Sequence, residues 1–312
     1  MQVYVAPLEG ITGYIYRNAH AKYFGGADKY FTPFITPKEK RIWTTREMND
    51  IMPSHNTQVN LVPQVLTNRA KDLIFCANDL YQRGYQEINL NLGCPSNTVV
   101  AKKKGSGFLK EPVQLCKFFD EYFSGCDIAL SIKTRLGMTD YDEFPELVRI
   151  YNQFPFSEVI IHARVREDYY KKAANPEEFS FAYEHCRHRL VYNGDIFCEE
   201  DYKEIEKRFP EISAVMLGRG LIANPQLTEQ IHSGSQRNLF TLKAFLNELR
   251  DNYSEVFSGE RNVLFKLKEI WSYMAGQFSC IGKYGKKIKK SKSLAEYQAI
   301  VDILFEEEMR VK

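Results

Sequence analysis

Eight short β-rich runs, separated by helix-like stretches, constrain this chain more than any other feature. They cover residues 2–6, 29–34, 59–65, 87–91, 128–133, 158–162, 190–193 and 214–217. Several are nearly continuous in apolar side chains, as in Val159-Ile160-Ile161 and Ala214-Val215-Met216-Leu217. That is the pattern of parallel strands covered on both faces. Eight such units predict closure into a (β/α)8 TIM barrel, an architecture of roughly 250 residues. An open doubly wound sheet that binds a dinucleotide would carry GxGxxG. Gly105-Ser106-Gly107 instead continues with Phe108, Leu109 and Lys110, without the third glycine.

The residues with chemical potential fall where these runs end. Pro7, Leu8 and Glu9 follow the first run, and Gln64 lies at the end of the third. Asn91-Leu92-Gly93-Cys94-Pro95-Ser96 leads out of the fourth. Lys133-Thr134-Arg135, His162-Ala163-Arg164, Asn193-Gly194-Asp195 and Gly218-Arg219-Gly220 follow the fifth to the eighth. A barrel gathers those ends on one face, where enzymes of this architecture place their sites.

Beyond about residue 235 the β-rich runs cease. Residues 241–253, 261–278 and 294–308 read as helices, and Leu242, Phe245, Leu246 and Leu249 show the spacing of a buried stripe. Ser233-Gly234-Ser235 marks a linker. The expected division is a barrel of residues 1–234 and a small all-helical domain of residues 235–312. The whole chain carries 42 basic and 40 acidic side chains, a balance that says little about partners. Residues 241–312 hold 13 basic and 10 acidic ones. Lys283, Lys286, Lys287, Lys289, Lys290 and Lys292 lie within ten residues that contain no acid. Such a block suits a phosphate backbone, and a solvated helix face accounts for it as well. It falls between the second and third expected helices, or opens the third.

Other partners are excluded on composition. Seven cysteines, spread widely and without a CxxC pair, fit reduced thiols. His185-Cys186-Arg187-His188 has no further ligands nearby, so no metal is expected. No run approaches the roughly 20 apolar residues that cross a bilayer, and the start of the chain lacks a basic leader. These features predict a cytoplasmic protein without a membrane partner.

Consider next what the strand ends could do. Glycine-rich loops after the last two strands of a barrel commonly cradle phosphate, and Arg219 would add a guanidinium. The same glycines could serve only to turn the chain. Lys133 at a strand end would be half buried, where an ammonium needs an anionic or electron-rich neighbour. A flavin ring supplies one, and His162 and Gln64 could donate hydrogen bonds to it. Cys94, in a rigid Gly-Cys-Pro-Ser turn at the barrel mouth, could act as nucleophile or acid. No base or oxyanion hole is apparent beside it, and an ordinary thiol pKa of about 8.5 leaves it protonated near neutrality. Proton donor is the favoured role.

Six ordered segments resemble the tRNA-dihydrouridine synthase family. They are Ala6-Pro7-Leu8-Glu9-Gly10, Asn91 to Ser96, Lys133 to Gly137, His162-Ala163-Arg164, Asn193 to Ile196 and Met216 to Gly220. The resemblance runs from residue 2 to about 230, and the lysine-rich tail suits that family's RNA-binding part. It implies an FMN enzyme that reduces the C5–C6 double bond of a uridine in tRNA, with NADPH reducing the flavin. Pro7, Leu8, Glu9, Gln64, Lys133, His162, Asn193, Gly194, Asp195, Gly218 and Arg219 match cofactor positions. Cys94 matches the proton donor to C5, with hydride passing from flavin N5 to C6. Asn91, Arg135 and Arg164 match positions near the target nucleotide. Lys102, Lys103, Lys286, Lys287 and Lys290 are expected to hold flanking phosphates. A monomer is expected. Leu8, Glu9 and Ala163 depart from the commoner residues of the family, which leaves open the subfamily and the uridine chosen. Two other readings remain: a flavin barrel reductase of a small molecule, of dihydroorotate or enoate type, and a non-catalytic RNA-binding protein.

Overall fold

The computed structural model describes residues 1–38 and 43–311. Among the described residues there are nine strands: β1 Gln2–Val5, β2 Lys29–Phe31, β3 Leu61–Val62, β4 Gln64–Val65, β5 Glu87–Leu92, β6 Ala129–Gly137, β7 Val159–Val165, β8 Leu190–Asn193 and β9 Ala214–Leu217. They form one parallel sheet in the order β3-β2-β1-β9-β8-β7-β6-β5-β4. The two ends of that order, β3 and β4, are halves of a single stretch split by Pro63, whose ring removes the ladder donor. β3 pairs with β2, and β4 pairs with β5. The ring is therefore nearly closed, and all eight expected runs supply strands. β6 and β7 extend past their expected ends at 133 and 162. Pairing continues from Arg135↔His162 to Gly137↔Val165 across a register shift.

Side chains alternate along the strands, as a period of two requires. Val3 and Val5 join the outer core against the helices, whereas Tyr4 joins Phe31, Val62, Ile160, Val191 and Met216 inside the barrel. The outer layer is dense. Leu73 and Leu80 of helix Ala70–Gln82 and Phe119 of helix Pro112–Gly125 are fully buried, and each such side chain contributes about 1.5–3 kcal/mol. The parity reverses in character on β4, β5 and β6. Ile88, Leu90, Leu130 and Ile132 face outward, leaving Gln64, Asn89, Asn91, Ser131 and Lys133 at the inward positions.

Four helices follow among the described residues, not three: Leu239–Val256, Glu260–Met274, Ile281–Lys290 and Leu294–Val311. Five of the block's six lysines, all but Lys292, lie on the third, a helix of its own. Tyr284 and Ile288, one turn apart, are buried, which gives an otherwise cationic segment one apolar face. The helical part shares a core with the barrel. Phe245 packs on Phe24 with ring centroids 5.1 Å apart and meets Tyr16 edge-on at 5.6 Å. Lys266 donates to the Gly10 carbonyl at 2.5 Å, tying the second helix to the loop after β1. Among the described residues, no helix is long and apolar enough to cross a membrane.

Candidate active site

A cavity of about 450 Å³ is lined by residues from the carboxyl ends of the strands. Pro7, Leu8, Glu9, Gln64, Asn91, Cys94, Lys133, Arg135, His162 and Arg219 all line it. Asn193, Asp195 and Arg164 are bonded to that wall from behind, through Lys133, Arg219 and His162 respectively. Gly194 and Gly218 adjoin these groups in the chain. Lys102, Lys103, Lys286, Lys287 and Lys290 do not line the cavity. Lys103 pairs with Glu111 at 2.6 Å, while Lys286, Lys287 and Lys290 have no ion-pair partner among the described residues.

The turn that carries Cys94 is held on several sides. Asn91 Oδ1 accepts from the backbone amides of Gly93 at 3.0 Å and Cys94 at 2.9 Å. Arg135 Nε donates to the Gly93 carbonyl at 2.8 Å, and the Ser106 hydroxyl donates to the Cys94 carbonyl at 2.9 Å. Gly105 permits that approach: a β-carbon there would lie 2.9 Å from the Cys94 carbonyl oxygen, and its φ is +56°. Burial, reinforced by Glu9, pushes the thiol pKa up against the opposing pull of Arg135 and Lys133. The thiol is thus protonated at neutral pH, as a proton donor must be.

Cations crowd the neighbouring wall. Lys133 retains some access to the cavity, yet desolvation and then Arg135 pull its pKa down to about 7. Among the described residues its only hydrogen-bond acceptor is the neutral Asn193 Oδ1, at 2.8 Å. His162 is held well below its ordinary pKa by burial and by Arg135, Lys133, Arg164 and Arg219. Arg164 Nη1 donates to His162 Nε2 at 2.9 Å, so the neutral ring carries its proton on Nδ1, leaving a donor available. Arg164 and Arg219 share one carboxylate, Asp195, the latter at 2.6 Å. Burial works to raise the Asp195 pKa, but the Ala174 amide and both guanidiniums outweigh it and hold it below the usual range. Asp195 therefore orients arginines and would repel a phosphate directly. The two glycine loops meet: a β-carbon on Gly220 would fall 1.8 Å from the Ile196 carbonyl oxygen. Gly218 is open, with nothing nearer its missing β-carbon than Ala6 at 3.6 Å.

Six wall residues were not among the site residues read from the sequence: Ile11, Pro33, Phe34, Tyr170, Glu269 and Tyr273. Tyr170 sits after Tyr169, whose φ of +47° is strained for a side-chain-bearing residue. Its ring lies 4.4 Å from the Arg219 guanidinium. Glu269 and Tyr273 come from the helical part, one turn apart on helix Glu260–Met274. Glu269 also lines a second cavity of about 680 Å³, together with Phe265, Gly285 and Lys289. The lysine helix and the barrel mouth are linked through that side chain. Among the described residues, no group of three or more His, Cys, Asp or Glu side chains is placed to hold a metal.

The wall suits an anionic ligand. Among the described residues, the four cations Lys133, Arg135, Arg164 and Arg219 have one ion-pair partner, the Asp195 carboxylate shared by the last two, and a buried ammonium without a counter-charge is costly. The cavity volume falls within the roughly 300–1,000 Å³ of ligand pockets.

A family model described as dihydrouridine synthase (Dus) matches residues 4–298. The tRNA-dihydrouridine(16) synthase of Pseudomonas syringae pv. tomato is 30% identical over 243 residues, 74% of each chain. Probable tRNA-dihydrouridine synthase 2 of Bacillus subtilis is 24% identical over 308 residues, 96% of this chain and 92% of that protein. Among solved structures, morphinone reductase has a TM-score of 0.53 at 12% identity, covering 76% of this chain and 87% of that one. This last likeness is one of fold. With the match spanning nearly the whole chain and the polar strand ends meeting in one cavity, the chain belongs to the dihydrouridine synthase family.

Proposed function

We propose that this chain reduces the C5–C6 double bond of a uridine in tRNA, with FMN held by the barrel, residues 1–234, and tRNA gripped partly by residues 235–312. The observation that carries this reading is one cavity lined by Cys94, Lys133, His162 and Arg219. Lys133 and the Nδ1–H of His162 supply a cation and a donor to the isoalloxazine edge, and Gln64 offers a further amide N–H. Arg219, aligned by Asp195, serves the phosphate end beside Gly194 and Gly218. Pro7, Leu8 and Glu9 line the cofactor cleft, and Asn193 steadies Lys133.

FMN, when bound, brings hydride delivery from N5 to uracil C6, with NADPH as the source of electrons. Cys94 gives its proton to C5, and such a positioned acid is worth roughly 10²–10⁴ in rate. The uracil must leave the RNA stack to reach this depth. Arg135 and Arg164 neighbour the base site, and Lys102, Lys103, Lys286, Lys287 and Lys290 take flanking phosphates. The protein acts as a cytoplasmic monomer.

The test is reconstitution with FMN followed by incubation with unmodified tRNA and NADPH. Dihydrouridine in the digested tRNA is expected, with tRNA affinity that falls steeply as salt rises. A protein that takes up no FMN would leave only RNA binding, and one that turns over a free enone but no tRNA would be a small-molecule reductase.

A further inference from the structure

The inward positions of β4, β5 and β6 hold a chain of hydrogen bonds that ends on the Cys94 turn. Gly93 N and Cys94 N donate to Asn91 Oδ1. Asn91 Nδ2 donates to Gln64 Oε1 at 2.7 Å, and Gln64 Nε2 to Asn89 Oδ1 at 2.7 Å. Asn89 Nδ2 then donates to Ser131 Oγ at 3.0 Å, whose hydroxyl donates to the Ile88 carbonyl at 3.3 Å. Gln64, Asn89 and Ser131 are fully buried. The strand register places them side by side, with Gln64 opposite Asn89 and Asn89 opposite Ser131.

The chain has a fixed direction. Backbone amides at one end can only donate, and a backbone carbonyl at the other can only accept. Each amide between them therefore has one orientation that pairs every group, and turning any one over sets donor against donor. A fully paired buried network of this kind rigidifies what it touches.

We infer that Asn89 and Ser131, which do not line the cavity, are positioning residues that fix the Cys94 turn and the Gln64 amide together through this relay. The relay gives the thiol and the cofactor-facing amide a common reference within the barrel wall. It rests on the reading of Cys94 as proton donor. A displacement of about 1 Å at a reacting group can cost up to about 10² in rate, so a broken relay acts at a distance.

The experiment compares Ser131→Ala and Asn89→Leu with Ser131→Thr, which keeps the hydroxyl, in the FMN-loaded enzyme. Three rates are read: reduction by NADPH, reoxidation by tRNA, and alkylation of Cys94 by iodoacetamide, resolved by peptide mass. Both breaking variants are expected to slow reoxidation about tenfold with reduction within about twofold, and to alkylate Cys94 severalfold faster because the turn loosens. Ser131→Thr should track the wild type. Because Ser131→Ala removes a single atom, it keeps the comparison valid should Asn89→Leu fold poorly. Unchanged Cys94 alkylation and unchanged reoxidation in both variants would overturn the relay. Full turnover by Cys94→Ala would instead overturn the proton-donor reading, while leaving the alkylation result to judge the relay alone.

Discussion

Two walls of the same cavity are built on opposite principles. On the β4–β5 side, Gln64, Asn89, Asn91 and the Cys94 turn pair their polar groups with one another. On the β6–β9 side, Lys133, Arg135, Arg164 and Arg219 outnumber their counter-charges, and Lys133 leans on a neutral amide. The first wall is complete as it stands, so it holds geometry. The second is incomplete, and an anionic ligand would offset the cost of burying its cations. Protein stability and ligand affinity should accordingly separate between them.

The widest separation is expected from Gln64→Leu. It strands Asn91 Nδ2 and Asn89 Oδ1 in a buried site, and urea unfolding of the cofactor-free protein should show a loss of about 2–4 kcal/mol. A loss below about 0.5 kcal/mol would mean that this wall is not held by its pairing. Lys133→Met should do the reverse. Cofactor-free stability stays level or rises because a desolvated cation is gone, while FMN affinity, measured by flavin fluorescence, drops about 10- to 100-fold. Weaker stability with unaltered FMN binding would erase the contrast.

The lysine helix extends the unpaired side outward. With Lys286, Lys287 and Lys290 all changed to Glu, the slope of log affinity for tRNA against log salt should lessen by about 2–3, and NADPH-driven flavin reduction should not move. An unchanged slope would make these lysines a solvated face only.

A pH dependence is expected from the same wall. The folded pKa of Lys133, about 7, lies below its ordinary 10.5, so between those values the unfolded chain binds the extra proton. Cofactor-free stability should then rise with pH from about 7 to about 10, and lose this slope in Lys133→Met. A thermal midpoint flat over that window would contradict the burial ascribed to the ammonium.

Much of the barrel was legible in the sequence because strand ends concentrate both apolar runs and the polar residues that follow them. The split of the third strand is legible too, in the missing N–H of Pro63. The third C-terminal helix, Ile281–Lys290, was hidden because Ile281, Tyr284 and Ile288 give too short an apolar stripe beside so many lysines. Glu269 and Tyr273 reach the cavity only through packing of the helical part on the barrel, which no local pattern records. Asn89 and Ser131 left a usable signal: polar residues every second position in strands whose other residues are wholly apolar, as in Ile88-Asn89-Leu90-Asn91-Leu92.

The most direct measurement is stopped-flow kinetics on Cys94→Ala, following flavin absorbance during reduction by NADPH and then during reoxidation on adding tRNA. FMN should be retained, reduction should stay within about twofold of the wild type, and reoxidation should slow by about 10²–10⁴. Reoxidation by tRNA at the wild-type rate would contradict Cys94 as the proton donor.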